Sequence, residues 1–139
     1  MRTDPDCIFC KIVKGEITCA KVYENHRYIA FLDTGPVNPG HTLVIPKEHY
    51  EDLLNTPDNV LDGMLNDSKK IAKAVLQAVG ADGFNLGINV GKTSGQLVSH
   101  LHIHIMPRFP NDGHHLFKQG KYAEGEMQKV ANRIRQNLK

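Results

Sequence analysis

No uninterrupted apolar run approaches the roughly 18 residues of a membrane-spanning helix, so a transmembrane helix is excluded. The first residues, Met1-Arg2-Thr3-Asp4-Pro5-Asp6, carry no apolar h-region, and a classical signal peptide is not expected. Net charge is scarce: 17 Lys and Arg against 15 Asp and Glu leave +2. That is too little for a dedicated binder of large nucleic acids, so any nucleotide handled here is small. Cysteine is limited to three residues, an odd number. The count argues against a disulfide scaffold and for thiols in a reducing compartment, and a cytoplasmic enzyme is the expectation. Internal repeats and low-complexity segments are also missing.

What is present is one ordinary globular chain of 139 residues, 40% hydrophobic and 23% charged. It suits a single domain over residues 1–139 with a radius of gyration of roughly 14 Å. Lys21–Glu24 and Tyr28–Asp33, flanking Asn25-His26-Arg27, read as a hairpin. Gly35-Pro36-Val37-Asn38-Pro39-Gly40 is a loop, and Thr42–Ile45 a strand ended by Pro46. Thr56-Pro57 reads as an N-cap with proline at the first helical position. Apolar residues from Val60 to Val79 then recur near the 3.6-residue period, up to a stop at Gly80. Phe84–Asn89 and His100–Met106 read as strands, and Gly125–Leu138 as a last helix with Met127, Val130, Ile134 and Leu138 on one stripe. The order implies an α+β fold whose sheet is mainly antiparallel.

Eight histidines occur, and three of them fall within five positions in His100-Leu101-His102-Ile103-His104. On a strand they share one face, about 6.6 Å apart, while Leu101, Ile103 and Ile105 share the other. An aliphatic row suits a covering helix. A histidine row suits nucleophilic or acid–base work, with a three-histidine metal site for metal-assisted hydrolysis or a plain exposed face as alternatives. Cys7 and Cys10 form a C-x-x-C pair, a motif that is either redox-active or zinc-binding. Cys19 reads as a small buried hydrophobe, and His26, His114 and His115 as turn or surface residues.

The stretch His100–Met106 resembles the motif of the histidine triad (HIT) nucleotide hydrolases and transferases. Further blocks are similar in order: Ile8–Ile12, Gly15–Ile17, Ala30–Asp33, Gly40–Lys47, Asn85–Asn89, Gly95-Gln96 and Pro107-Arg108. Together they span about residues 7–110, and the Hint-like (protein kinase C interacting protein-like) branch is the most similar. The resemblance implies a five-stranded sheet with one long central helix and a C-terminal helix near residues 125–138. It also implies covalent catalysis at the α-phosphorus of a purine nucleotide such as an adenosine phosphoramidate. His102 would be the nucleophile and His104 the phosphate-side donor, with His41 in support. Phe9, Ile12, Ile17 and Phe31 would wall the base, Asp33 would accept from the ribose hydroxyls, and Asn89, Gly95, Gln96 and Val98 would touch phosphate or ribose. The triad ends in His104 rather than the glutamine of the uridylyltransferases, which favours a hydrolase. Leu97 stands where the branch commonly has serine, so a hydroxyl near the scissile group is missing.

The resemblance also completes a structural zinc set, one ion per chain, from Cys7, Cys10, His49 and His100. No organic cofactor is expected. It implies a homodimer, for which the apolar residues of Thr56–Val79 suffice, and two-fold pairing is the commonest homo-oligomeric solution. Two further activities stay open: a dinucleoside polyphosphate hydrolase of the same family, and a non-catalytic nucleotide sensor or interaction module.

Overall fold

A computed structural model describes residues 1–115 and 117–138. Its strands are β1 (Lys21–Glu24), β2 (Tyr28–Leu32), β3 (Thr42–Pro46), β4 (Gly83–Gly87) and β5 (Ile103–Arg108), with helices α1 (Ile8–Val13), α2 (Asp58–Val79) and α3 (Glu126–Asn137). The strands form one sheet in the order β1-β2-β3-β5-β4, and every pairing is antiparallel. The α+β class read from the sequence is the one observed.

Alternation sorts the side chains into two layers. Tyr28, Ala30, Val44, Leu101, Ile103 and Ile105 form one buried cluster with Val60, Met64, Ile71, Ala72 and Val75 of α2. On the opposite face Ile29, Phe31, Leu43 and Ile45 pack with Cys7, Phe9 and Cys10 at α1. The 22-residue α2 thus dries one face, and the six-residue α1 covers only part of the other. The remainder of that second face is where the histidines lie.

Three boundaries differ from the sequence reading, each for a physical reason. Helix α2 starts at Asp58 with Pro57 as the cap residue, because the Thr56 hydroxyl donates to the Asp52 carbonyl at 2.6 Å instead of capping. Strand β4 ends at Gly87, and Ile88 turns toward the α2 core. Strand β5 begins at Ile103, not His100, and passes through Pro107 to Arg108. Continuing the Val44–Ile103 register would set Leu101 opposite Pro46, which has no N–H for the ladder. Leu101 N–H instead donates to the Tyr50 carbonyl at 2.7 Å. At the other end Pro107 lies past Thr42–Ile105, the last β3 pair, so its missing N–H costs only a bond that β3 does not reach. The predicted last helix is present as α3, but none of its residues is buried, and Met127, Ile134 and Leu138 are exposed.

Candidate active site and metal centre

Beyond the end of α1 the open face forms a cavity of about 590 Å³, with Phe9, Ile12, Ile17, Phe31 and Leu43 as apolar walls. His102, His104 and Asp33 supply its polar end, and Gly95, Leu97 and Val98 form part of its rim. The volume lies within the range of small-ligand pockets, and a few convergent polar groups in an apolar cleft are their usual makeup. Seven of the nine residues expected to contact a nucleotide line this space. Asn89 and Gln96 do not. Gln96 is a brace: its Oε1 accepts from Gly91 N–H at 2.9 Å, and its Nε2 donates to the Glu51 and Val98 carbonyls. The Asn89 side chain lies beside Gly95, whose φ of +104° favours glycine. Cys19, read as buried, is only half-buried and lines the cavity with Thr18 and Ala20. Small residues in a short loop carry no periodic signal, and this part of the wall was missed for that reason.

The three histidines of the row are set differently by what holds their second nitrogen. His100 Nε2–H donates to the Pro46 carbonyl at 2.9 Å, which leaves its Nδ1 lone pair free. That lone pair points away from the cavity, 3.4 Å from Cys7 Sγ and 3.6 Å from Cys10 Sγ. His102 is the reverse: its Nδ1–H donates to the His100 carbonyl at 2.7 Å, leaving the Nε2 lone pair free at the cavity. For His104 the assignment passes through His41. The Val37 N–H donates to His41 Nδ1 at 3.0 Å, so the proton of neutral His41 sits on Nε2. That N–H donates to His104 Nδ1 at 2.9 Å, and the proton of neutral His104 is therefore on Nε2. The cavity thus meets a lone pair at His102 and a donor at His104.

Burial keeps these rings neutral. It pushes His104 down to about 4, aided by His102 and His41, and lowers His102 and His41 as well. Asp33 opposes these shifts weakly; its Oδ2 lies 3.6 Å from His41 Nε2, and its Oδ1 accepts from Gly35 N–H at 2.9 Å. Asp33, His41 and His104 lie close enough together to suggest a metal site. The wiring rules it out, because His41 Nε2 must carry hydrogen while Val37 occupies Nδ1. The separation of His100 from its neighbours likewise removes a three-histidine metal site.

Cys7, Cys10, His49 and His100 are the set that fits a metal. His49 Nδ1 lies 3.3 Å from Cys10 Sγ and 3.2 Å from His100 Nδ1. A tetrahedral zinc with bonds of ~2.3 Å to sulfur and ~2.05 Å to nitrogen spaces S···N by about 3.5 Å and N···N by about 3.3 Å. Backbone N–H groups of Asp4 and Cys10 also point at Cys10 and Cys7 sulfur, each at 3.4 Å, as suits thiolates. Phe9 stands between this centre and the cavity, its ring centroid 5.8 Å from His100 and 5.2 Å from His102, both edge-on.

Fold and site together define an α+β domain with a histidine-bearing strand end, a small-ligand cavity and a separate Cys/His metal set. A family model described as the HIT domain matches residues 14–111, and the chain belongs to the HIT family. It is 46% identical over 107 residues to the adenylylsulfatase HINT3 of Arabidopsis thaliana, covering 77% of this chain and 54% of that protein. The chain thus spans about half the length of that relative. The crystal structure of a HIT family protein from Bacillus subtilis superposes with a TM-score of 0.87 at 38% identity, covering 96% of this chain and 98% of that one. A zinc-bound histidine triad family protein from Mycobacterium smegmatis gives a TM-score of 0.76 at 34% identity over 96% and 98% of the two chains.

Proposed function

We propose that the protein is a nucleotide hydrolase cleaving at the α-phosphorus of an adenosine phosphoramidate or related purine nucleotide, through a nucleotidyl group on His102. The observation that carries this reading is the 2.7 Å bond from His102 Nδ1–H to the His100 carbonyl, which leaves Nε2 unprotonated at the cavity. That Nε2 attacks phosphorus, and the bond to the leaving group breaks with its electron pair going to the departing amine, which takes up a proton. Water then attacks the same phosphorus, the P–Nε2 bond breaks, and nucleoside monophosphate leaves. Splitting one displacement into two is what an imidazole nucleophile achieves. His104 Nε2–H donates to a phosphate oxygen or the leaving group, where charge develops. Asp33 takes the ribose hydroxyls, and Phe9, Ile12, Ile17 and Phe31 flank the base. The adenylylsulfatase relative supports an adenylyl group as the retained half.

The rapid-quench mass spectrum of the protein on an adenosine phosphoramidate tests this. A nucleotide adduct on the peptide bearing His102 is expected. An adduct elsewhere overturns the assignment, and binding without turnover makes the protein a sensor.

Cys7, Cys10, His49 and His100 would hold one zinc per chain. With four protein ligands the ion would be structural, fastening the N-terminal segment to the stretch that leads through His102 into β5. The donor spacing and the zinc-bound relative support this. The reading also includes a homodimer in the cytoplasm. Leu65 on α2 and Phe84 and Leu86 on the edge strand β4 are exposed, and a second copy would cover them. Sedimentation at the mass of one chain would exclude that.

A further inference from the structure

Just past the catalytic strand the chain folds back, and a single carboxylate holds the return. Asp112 Oδ2 accepts from Arg108 Nε at 2.8 Å, Asn38 Nδ2 at 2.9 Å and Phe109 N–H at 3.2 Å. Its Oδ1 accepts from Arg108 Nη2 at 3.0 Å and His114 N–H at 3.1 Å. Five donors thus converge on a side chain only 7% exposed. The other hydrogens of this group tie in three segments. Arg108 reaches Asn85 Oδ1 on β4 and the His114 carbonyl, each at 2.8 Å, and Asn38 also donates to the Pro107 carbonyl at 2.9 Å. His114, read from sequence as a surface residue, is exposed but not idle. Its Nε2–H donates to the Val37 carbonyl at 2.8 Å.

Val37 is therefore gripped on one side by His114, and on the other its N–H assigns the proton of His41. We infer that Asp112, Asn38 and His114 form a clamp of positioning residues that holds Val37 in register and thereby fixes the polarity of His104. The inference rests on the roles proposed above for His102 and His104. The argument is one of proton placement. If the Val37 N–H moves off His41 Nδ1, His41 is free to carry its proton there and to turn Nε2 into an acceptor. His104 must then hold its own proton on Nδ1, and it presents a lone pair to the phosphate oxygens in place of a donor. One shifted loop residue inverts the sign of the contact offered to the reacting group. None of the three clamp residues lines the cavity, so they act through the relay and not on the nucleotide.

His114 is the place to test this, because its exposure makes folding indifferent to its replacement. Imidazole ¹⁵N spectra of the ligand-free protein should show His41 and His104 both protonated on Nε2. His114→Ala should mix the two forms at His41 and His104. It should slow single-turnover cleavage of an adenosine phosphoramidate about 10- to 30-fold, with affinity for adenosine, which carries no phosphate, changed by less than about twofold. His114→Gln, whose Nε2 can still reach the Val37 carbonyl, should restore both. Asp112→Asn, which loses its charge but not its shape, should behave like His114→Ala. Unchanged spectra in both variants would overturn the clamp, as would mixed forms with undiminished cleavage. The spectra need no substrate, so a failure there bears on the clamp alone. Loss of the adduct on His102 bears on the proposed reaction.

Discussion

The two faces of the sheet come from the same strands, residue by residue, yet they solve opposite problems. Toward α2, Ala30, Val44, Ile103 and Ile105 are closed off by a helix long enough to exclude water. Toward α1 the alternate residues are left half-covered, and His102 and His104 take the open part. The first face is held by volume and the second by hydrogen-bond direction. On the second face, residues of one type diverge because a different backbone group claims one nitrogen of each ring: the Pro46 carbonyl for His100, the His100 carbonyl for His102, and Val37 by way of His41 for His104. The comparison predicts that damage to one face is read in rate and damage to the other in stability.

The sharpest break is His102→Ala. Removing the nitrogen proposed to attack phosphorus should slow the chemical step by at least about 10³-fold while adenosine monophosphate still binds, because a transition-state role is lost and ground-state contacts remain. Stability should fall by about 1–3 kcal/mol as the buried His100 carbonyl loses its donor, which is small beside the loss of rate. Single-turnover kinetics beside calorimetric binding checks this, and near-normal turnover would put the nucleophile elsewhere.

Next in size is the metal end, which lies beside α1 on the second face. Elemental analysis should give about one zinc per chain in the unsubstituted protein and none in Cys10→Ser. Stability should fall by about 2–4 kcal/mol, since a buried tether between α1 and the stretch preceding β5 is cut. The rate should fall only as far as Phe9 and His102 shift. A variant that keeps its metal and its stability would remove the structural role assigned to this centre.

The relation between pattern and site follows from these particulars. Alternation at His100–Met106 and the period of Val60–Val79 are local, and both faces were legible from them. The Cys7–Cys10 spacing was legible for the same reason, but it left redox and zinc readings open, and only the resemblance added His49 and His100. The start of β5 was not, because it depends on Pro46 arriving opposite Leu101 from 55 residues earlier in the chain. Nor were the protons on the rings, since the Val37 N–H and the Pro46 carbonyl reach them only in the folded chain. Asn89 and Gln96 were assigned to the ligand by motif order, which does not reveal that Gln96 is already satisfied by backbone.

A smaller effect separates the faces by pH. His104 meets His102, His41 and Asp33, and its value is pushed down to about 4 from 6.5, chiefly by burial. The unfolded chain therefore binds a proton that the folded chain refuses between those values, and stability falls as pH drops from about 6.5 toward 4. Partial exposure of the ring and screening reduce the loss. Replacing it, as His104→Gln, should flatten that part of the stability profile, whereas Met64→Ala on the α2 face should lower stability equally at every pH. A profile unchanged by His104→Gln would mean that the ring is not held neutral by its burial.

The smallest expected effect lies within the dry face. Gly63 sits mid-helix in α2, and a Cβ there would press into the Tyr28 ring, whose hydroxyl donates to the Val60 carbonyl at 2.7 Å. Helix propensity alone favours alanine over glycine by about 1 kcal/mol. Overpacking a buried contact costs about 1–3 kcal/mol. Tyr28 is 2% exposed and pinned at its hydroxyl, so it has little room to retreat, and crowding wins. Gly63→Ala should therefore destabilise by about 1 kcal/mol, seen as a lower urea midpoint with the rate of cleavage unchanged. Tyr28→Phe removes the hydroxyl that the new methyl group meets first. In that background Gly63→Ala should cost less, and the difference between the two costs is the coupling. Equal costs in both backgrounds would place the strain elsewhere in the helix, and a loss of rate would show that the two faces are not independent.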